Sequence, residues 1–334
     1  MNNKGTDEVD LLRRIIDPRI EELRRGKLGN RFTIEGTKWR CITRGRNIVY
    51  NVQCNCEWYA KIPVRDNSAM LEMECTGYQR VGELRSISSR FVLPERVYLN
   101  DDRQYILTAA VRGEYLQSSL YGAIISLRPI RLRNLEMNYR TLGEFVARMH
   151  RNIGIDGVEQ STRPTAIQEC NVLLQRLCQR DSVVKLIEEF SSRFESDDRA
   201  TFIHGNLRRE NVLSVGDGGI CLIDFENSGR GSRYDDLSKL VGGLVLTQTV
   251  FGFPFRGVQH AISGFIGGYR AVWEYDQRKL FNYLAARVSH QLLCHLLGKR
   301  PTIARIPVSL SRTVKLLNAL MAGETSGVLR GLEL

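Results

Sequence analysis

The sequence predicts an α+β protein in which a β-rich part precedes a larger, mainly helical part. Short runs rich in β-branched and aromatic residues fill residues 32–112, whereas apolar residues at helical spacing dominate from residue 113 onward. A chain of 334 residues, 43% hydrophobic and 25% charged, has the length and composition of about two globular domains. We therefore divide it into an N-terminal helical extension (1–31), a sheet domain (32–112) and a helical domain (113–334).

The extension carries apolar residues at helical spacing among charged ones: Val9, Leu12, Ile16, Ile20 and Leu23. This pattern predicts one amphipathic helix, which packs on the main body or on a partner, with the main body favoured. The opening residues are too polar for a secretory signal, so we expect a cytoplasmic protein and leave peripheral membrane association open.

Six runs in the sheet domain read as strands of an antiparallel sheet: RFTIEG, WRCIT, NIVYNVQC, EWYAKIPV, FVLPERVYL and QYILTAAV. One helix, at about residues 69–84, interrupts them. Candidate helices of the later domain are LGEFVARMHR, NVLLQRLCQR, VVKLIEEF and LAARVSHQLLCHLL. Two glycine-rich apolar segments, 250–255 and 264–269, are interpreted as buried helix contacts, with an acceptor-binding or lipid-contacting surface as the alternative.

The charge and cysteine pattern limits the class of protein. Lys and Arg total 48 against 37 Asp and Glu, and the net charge of +11 favours anionic partners. No nucleic-acid-binding motif accompanies the basic residues, and the longest uncharged stretch, between Lys239 and Arg256, is too short for a membrane span. Cys54 and Cys56 are interpreted as the tip of a hairpin rather than half of a metal site, and His290 and Cys294 as packing residues.

The segment from Thr201 to Lys239 is the most informative. A strand-like run turns at His204-Gly205, and a second strand, ICLIDFE, delivers Asp224 at its end. Asn206, Asn211 and Asp224 would then project from neighbouring loops and strand ends around one small volume. Amide and carboxylate oxygens in such an arrangement suit a divalent cation and phosphates, and Mg²⁺ in particular takes oxygen ligands.

Three motifs in this segment resemble a known family: H-G-N-L-x-x-x-N-V-L at 204–213, L-I-D-F-E at 222–226, and Tyr-Asp-Asp-Leu at 234–237. They resemble the aminoglycoside phosphotransferase and choline-kinase-like family of the protein-kinase-like superfamily. The resemblance implies a bilobal kinase-like fold that binds ATP and Mg²⁺. It implies that Asn211 and Asp224 are the metal ligands and that His204 is a structural member of the catalytic loop. It also implies that Asp236 is the family's aspartate at the start of a helix.

The same resemblance implies a nucleotide site in the sheet domain. Lys61, on a predicted strand, would bind the α- and β-phosphates, and Glu74, on the following helix, would orient it. Gly45 occupies the position of the phosphate-covering hairpin, and backbone groups from Ala109 to Val111 would hold the adenine ring. The implied activity is phosphoryl transfer to a hydroxyl of a small molecule, a sugar or a lipid-linked sugar.

Asn206 stands where the family has its catalytic aspartate. An amide lacks the basicity of a carboxylate, and losing general-base assistance lowers a rate by about 10²–10⁴-fold. Three interpretations remain open: a pseudokinase that binds nucleotide or acts as a scaffold, an enzyme whose base is Glu210 or Glu226, or a laboratory change of Asp to Asn.

The helical region at the end of the chain suggests the chemistry of the acceptor. From Lys239 to Leu334 there are 12 Lys and Arg residues against 4 Asp and Glu, a net charge of +8. A cationic acceptor would favour an acidic pocket, so this excess favours an anionic or lipid-linked acceptor, with an ordinary solvated basic surface as the alternative.

Overall fold

The computed structural model describes residues 4–44, 46–65, 67–126, 128–160, 165–175, 182–192, 194, 199–251, 255–297 and 310–322. Its strands are β1 (Arg31–Ile34), β2 (Thr37–Arg44), β3 (Asn47–Gln53), β4 (Glu57–Pro63), β5 (Phe91–Val92), β6 (Val97–Leu99), β7 (Ile106–Ala109), β8 (Glu114–Tyr115), β9 (Ala200–Ile203), β10 (Val212–Val215), β11 (Gly219–Leu222) and β12 (Gly229–Ser232). Its helices are α1 (Lys4–Ile16), α2 (Ile20–Arg24), α3 (Ser68–Gly82), α4 (Leu116–Ser126), α5 (Pro129–Asn152), α6 (Ala166–Leu174), α7 (Ser182–Ser192), α8 (Arg233–Phe251), α9 (Arg256–Val272), α10 (Gln277–Leu296) and α11 (Leu310–Met321). The predicted α+β class, with an antiparallel sheet before a helical part, is confirmed.

The first sheet is antiparallel, with strand order β1-β2-β3-β4-β7-β6. Alternate side chains of its central strands point to one face, as the period of two in a strand requires, and there Trp39, Tyr50 and Trp58 form a buried core. Leu12 and Ile15 of α1 belong to the same core. The N-terminal segment therefore packs on the sheet.

The prediction of one continuous N-terminal helix was wrong in its detail. A 3₁₀ turn at Asp17–Arg19 separates α1 from α2. Pro18 explains the interruption, because proline has no backbone N–H and restricts the residue before it.

The run FVLPERVYL does not form one strand of the first sheet. It is divided at Pro94: β6 joins that sheet, whereas β5 pairs in parallel with β11 in a second sheet of order β5-β11-β10-β8. The predicted helix at 69–84 is confirmed as α3, and a 3₁₀ turn at Glu83–Ser86 follows it.

The later part of the chain is built on a close contact between α5 and α9. A Cβ atom at Gly143 would lie 2.1 Å from the backbone oxygen of Phe265, and one at Gly268 would lie 2.0 Å from that of Arg140. Segment 264–269 is therefore a buried helix contact, as the sequence favoured. Of segment 250–255, residues 252–254 lie outside the described residues.

Residues 110–113 connect the first sheet to the second, because β7 ends at Ala109 and β8 begins at Glu114. The division of the chain into domains at residues 31 and 112 stays a prediction. Among the helices in the described ranges, none is long and apolar enough to cross a membrane.

Candidate functional site

Lys61 lies at the centre of the candidate site and contacts three carboxylates. Its Nζ atom is 2.7 Å from Glu74 Oε2, 2.7 Å from Asp224 Oδ1 and 2.7 Å from Glu226 Oε2. Strand β4 supplies the lysine, α3 supplies Glu74, and the loop after β11 supplies the other two acids. The predicted proximity of Lys61, Glu74 and Asp224 is thus present in the structure.

Burial and charge act against each other in this cluster. Burial disfavours the Lys61 ammonium, but the carboxylates of Glu74, Asp224 and Glu226 outweigh that effect and hold the lysine pKa well above its usual range. Burial raises the pKa of Glu74 from 4.5 to about 7 even though Lys61 opposes the shift. For Asp224, burial favours a higher pKa, but Lys61 outweighs it and the pKa is lowered. Asp224 is therefore ionised at neutral pH.

Asn206 and Asn211 meet Asp224 from the other side. The Asn211 Nδ2 atom donates to the backbone oxygen of Asn206 at 3.0 Å and to Asp224 Oδ2 at 3.3 Å, and Asn206 Nδ2 lies 3.5 Å from the same oxygen. These contacts use the amide nitrogen of Asn211, so its Oδ1 atom is the one suited to coordinate a cation. The three side chains share one volume, as the strand-end pattern predicted.

The donor set fits a hard divalent cation. Within the described residues, one group of three metal-capable side chains has its ligand atoms within 4.8 Å of one another: Glu74, Asp224 and Glu226. Carboxylate oxygens, together with the Asn211 amide oxygen, are the donors that Mg²⁺ takes, with phosphate and water completing its octahedron. The sequence did not place Glu226 beside Lys61, because only the turn after Asp224 brings its side chain back to the cluster.

The backbone at Asp224 is held in an unusual conformation. Its φ angle is +68°, in the left-handed region that non-glycine residues seldom adopt. Its N–H donates to the Tyr78 hydroxyl at 3.2 Å, and the Tyr78 ring packs edge-on against Phe225 at 5.0 Å between centroids. Helix α3 therefore fixes Asp224 as well as Lys61, a second role for this helix that the sequence did not reveal.

Two further contacts bring α3 against the segment after Asp224. The Ser228 hydroxyl donates to the backbone oxygen of Met73 at 3.2 Å. A Cβ atom at Gly77 would lie 2.6 Å from Phe225 Cβ, so only glycine permits this approach without rearrangement. From the sequence alone, a glycine within a helical pattern that permits close packing cannot be distinguished from one that has no packing role.

The predicted catalytic loop, residues 204–211, is supported by buried hydrogen bonds. Asp236 accepts from the backbone N–H groups of His204 (2.7 Å) and Gly205 (3.0 Å), and His150 Nε2 lies 3.2 Å from it. Burial lowers the pKa of His204, whose Nε2 lies 3.0 Å from the Ile223 oxygen and whose Nδ1 accepts from the Asn206 N–H at 3.2 Å. His204 is therefore neutral at pH 7 and contacts the backbone of Asn206 and Ile223; that its role is structural stays a prediction.

The two candidate replacement bases differ in their surroundings. Glu226 Oε2 is engaged by Lys61 and by Asn47 Nδ2 at 2.8 Å, which lowers its availability as a proton acceptor. The Glu210 side chain is 44% exposed and contacts Arg209 Nε at 3.4 Å. Of the two, Glu210 has the greater freedom to reach a proton.

The predicted adenine-binding strand is partly occupied by its own sheet. The N–H of Ala109 donates to the Arg96 oxygen and that of Ala110 donates to the Glu57 oxygen, each at 2.9 Å. An adenine acceptor atom would therefore take the N–H of Val111. Gly45 lies outside the described residues.

The structure also shows where the two cysteine-containing segments considered as metal sites lie. Cys54 and Cys56 lie in the turn between β3 and β4, where the Cys54 N–H donates to the Cys56 oxygen at 3.0 Å. The Cys294 thiol lies 3.5 Å from His290 Nε2, four residues away on α10.

Comparison with known proteins places these motifs in a wider context. A model of the phosphotransferase enzyme family matches residues 81–281, more than half of the chain. No curated protein sequence matches significantly. Among solved structures, amicoumacin kinase hAmiN in complex with AMP-PNP and Ca²⁺ is 16% identical over 92% of this chain and 96% of its own, with a TM-score of 0.56.

Two further structures share the architecture. Choline kinase LicA from Streptococcus pneumoniae is 12% identical over 95% of this chain and 99% of its own, with a TM-score of 0.53. APH(2″)-IIia in complex with GDP and kanamycin is 14% identical over 91% of this chain and 99% of its own, also with a TM-score of 0.53. At these identities the likeness shows the fold, and the predicted bilobal kinase-like fold is confirmed.

Proposed function

The chain belongs to the phosphotransferase enzyme family, and we propose that it binds ATP with Mg²⁺ and transfers the terminal phosphoryl group to a hydroxyl of a small molecule. The observation that carries the proposal is the contact of Lys61 with Glu74 and Asp224, each at 2.7 Å. This contact joins an ammonium on the first sheet to a carboxylate at the end of β11. Phosphoryl transfer depends on such positioning and charge neutralisation.

Each side chain then has a defined role. Lys61 binds the α- and β-phosphates as a point charge, and Glu74 holds the ammonium in place. Asn211 and Asp224, assisted by Glu226, hold the cation, which neutralises charge on the phosphates when bound. The adenine ring lies against the 109–111 backbone.

The acceptor is a small molecule, with a sugar or lipid-linked sugar as the form that the sequence suggested. Among the similar proteins, LicA is a choline kinase and APH(2″)-IIia binds kanamycin, both small molecules. We place the activity in the cytoplasm. For a lipid-linked acceptor, the proposal also includes association of the protein with a membrane surface.

A second candidate function is nucleotide binding with little or no transfer. It is favoured by Asn206, whose amide Nδ2 is directed at Asp224 rather than offering a basic oxygen. In this form the protein binds nucleotide and acts as a scaffold. Asn206→Asp separates the candidates: a gain of phosphorylated product indicates a disabled enzyme, and no product from a broad panel of hydroxyl acceptors indicates a scaffold.

The test of nucleotide binding is titration calorimetry with ADP, with and without Mg²⁺. We expect Mg²⁺-dependent binding that Lys61→Ala weakens by at least about tenfold, because an ionic hydrogen bond to phosphate contributes about 1.5–3 kcal/mol. Lys38→Ala, which removes an exposed lysine from β2 of the same sheet, is the matched control. Absence of Mg²⁺-dependent binding, or equal affinities in the two variants, rejects the proposal.

A further inference from the structure

A basic cavity lies beside the catalytic-loop segment. Six residues line it: Arg208, Arg209, Glu210, Lys239, Leu240 and Gly243. The first three directly precede Asn211, and the other three lie on α8. Lys239 Nζ donates to the Gly205 backbone oxygen at 2.6 Å. This bond joins α8, on one side of the cavity, to the loop that carries Asn206.

The cavity contains more positive than negative charge. Its lining includes three cationic side chains and one carboxylate, Glu210, whose side chain is 44% exposed. Lys239 is only 5% exposed. Buried charges of one sign attract a ligand of the other sign more strongly than exposed ones do, because solvent screens them less.

Arg209 is held in a fixed orientation at this cavity. Its Nη1 donates to the Thr247 hydroxyl at 3.2 Å and its Nη2 to the Tyr121 hydroxyl at 3.4 Å, while the guanidinium carbon lies 5.5 Å from the centre of the Tyr121 ring. The side chain is 11% exposed. An arginine restrained in this way loses little conformational entropy when it binds a planar or tetrahedral oxyanion.

Arg208 is partly buried beside charges of both signs. Burial is the largest influence on its pKa, which is lowered; the guanidinium of Arg287 acts in the same direction, and the carboxylates of Glu210, Asp224 and Glu169 oppose it. Arg287 is itself buried and contacts Asp235 at 3.4 Å. Arg287 Nη1 also lies 3.7 Å from Glu169 Oε2, so two carboxylates balance this guanidinium and the excess of positive charge belongs to the cavity lining.

We propose that this cavity binds an oxyanion group, a phosphate or a carboxylate, on the acceptor. The inference rests on the proposed phosphotransferase function and names its substrate class. The oxyanion is held by Arg208 and Arg209, two and three residues after Asn206, so the acceptor hydroxyl lies on the Asn206 side of the cavity. A cationic acceptor meets like charge here and binds weakly.

The experiment measures binding of inorganic phosphate, and of acetate in a parallel arm, to protein saturated with Mg²⁺ and AMP-PNP. AMP-PNP fills the nucleotide site, including the position of the terminal phosphate. Any anion that then binds must occupy a different site. Binding is followed by calorimetry for the wild type, Arg209→Gln, Arg209→Lys and Arg278→Gln. Arg278 is exposed near the start of α10, so its variant removes the same charge away from the cavity.

We expect at least one anion to bind the wild type and Arg278→Gln, and Arg209→Gln to bind it about tenfold more weakly, while Arg209→Lys, which keeps the charge, gives an intermediate affinity. Tighter binding of phosphate than of acetate indicates a phosphorylated acceptor, and the reverse order indicates a carboxylated one.

The same titrations are run with ADP in place of AMP-PNP. Three results overturn the inference: neither anion binds, binding seen with ADP disappears with AMP-PNP, or Arg209→Gln and Arg278→Gln bind equally. Each of these leaves the proposed function intact if AMP-PNP still binds with Mg²⁺. Loss of Mg²⁺-dependent nucleotide binding in the wild type is the separate failure of the proposed function.

Discussion

Replacing Asn206 by Asp tests the candidate site directly, because it changes one amide nitrogen into a carboxylate oxygen beside Asp224. The atoms concerned are 3.5 Å apart in the wild type, and two unit charges at 3.5 Å repel by about 5 kcal/mol at an effective dielectric constant of 20. Relaxation and the nearby ammonium of Lys61 reduce this value. A divalent cation coordinated between the two carboxylates removes the repulsion and adds attraction.

We therefore expect Asn206→Asp to unfold more easily than the wild type without Mg²⁺ and to gain more stability from Mg²⁺ than the wild type does. Chemical denaturation with and without Mg²⁺ measures both effects. If the substitution also restores a general base, release of ADP from Mg²⁺-ATP in the presence of hydroxyl acceptors rises by about 10²–10⁴-fold.

Asn138→Asp is the matched control for this experiment. It makes the same chemical change on α5, where the Asn138 side chain donates to the Ser214 hydroxyl at 3.0 Å. The reasoning is refuted if Mg²⁺ stabilises Asn206→Asp no more than it stabilises the wild type and the control, because position 206 would then lie outside the reach of a cation at Asp224.

Two further predictions concern stability. Burial raises the pKa of Asp235 from 3.8 to about 6 even though Arg287 opposes the shift, so its contribution to stability is present below pH 3.8 and is lost as pH rises through 6. In urea denaturation, the unfolding free energy of Asp235→Asn should therefore rise relative to that of the wild type by about 2 kcal/mol between pH 4 and 7. A constant difference between the two proteins across that range would contradict the prediction. Gly77→Ala should lower the unfolding free energy by about 1–3 kcal/mol, because the new Cβ atom would lie 2.6 Å from Phe225 Cβ, whereas Gly82→Ala on the same helix, with no atom within 4 Å, should be neutral or stabilising in the same denaturation assay.

The residues that we propose to bear the chemistry could be predicted from local patterns. Asn211 and Asp224 are polar residues beside a strand or a recognisable turn, Lys61 lies within a predicted strand, and the sequence spacing of all three matches one family. A strand end restricts where a side chain can project, so the approximate meeting point follows once the two strands are recognised. Their proximity in the structure agrees with that prediction.

The supporting contacts could not be predicted, because they join residues distant in sequence through ordinary-looking positions. Gly77 and Ser228 are 151 positions apart, and nothing in either local pattern indicates that α3 lies against the later segment. The second sheet was missed for a related reason. A two-residue strand such as β5 is recognisable only by the partner strand it pairs with, β11, which follows much later in the chain.

Helix α3 contacts both Lys61 and Asp224, so the packing of this helix determines how the two charged residues are arranged. Glu74 forms an ion pair with Lys61, and Tyr78, one helical turn later, accepts a hydrogen bond from the Asp224 N–H. A displacement of α3 therefore moves the partner of the lysine and the support of the aspartate together. Because Asp224 also has a left-handed backbone, releasing Tyr78 removes a contact that holds it in this conformation. The pairing of ammonium and carboxylate thus depends on the packing of α3 against residues 224–228, and a change confined to that packing should alter nucleotide binding without touching either charged group.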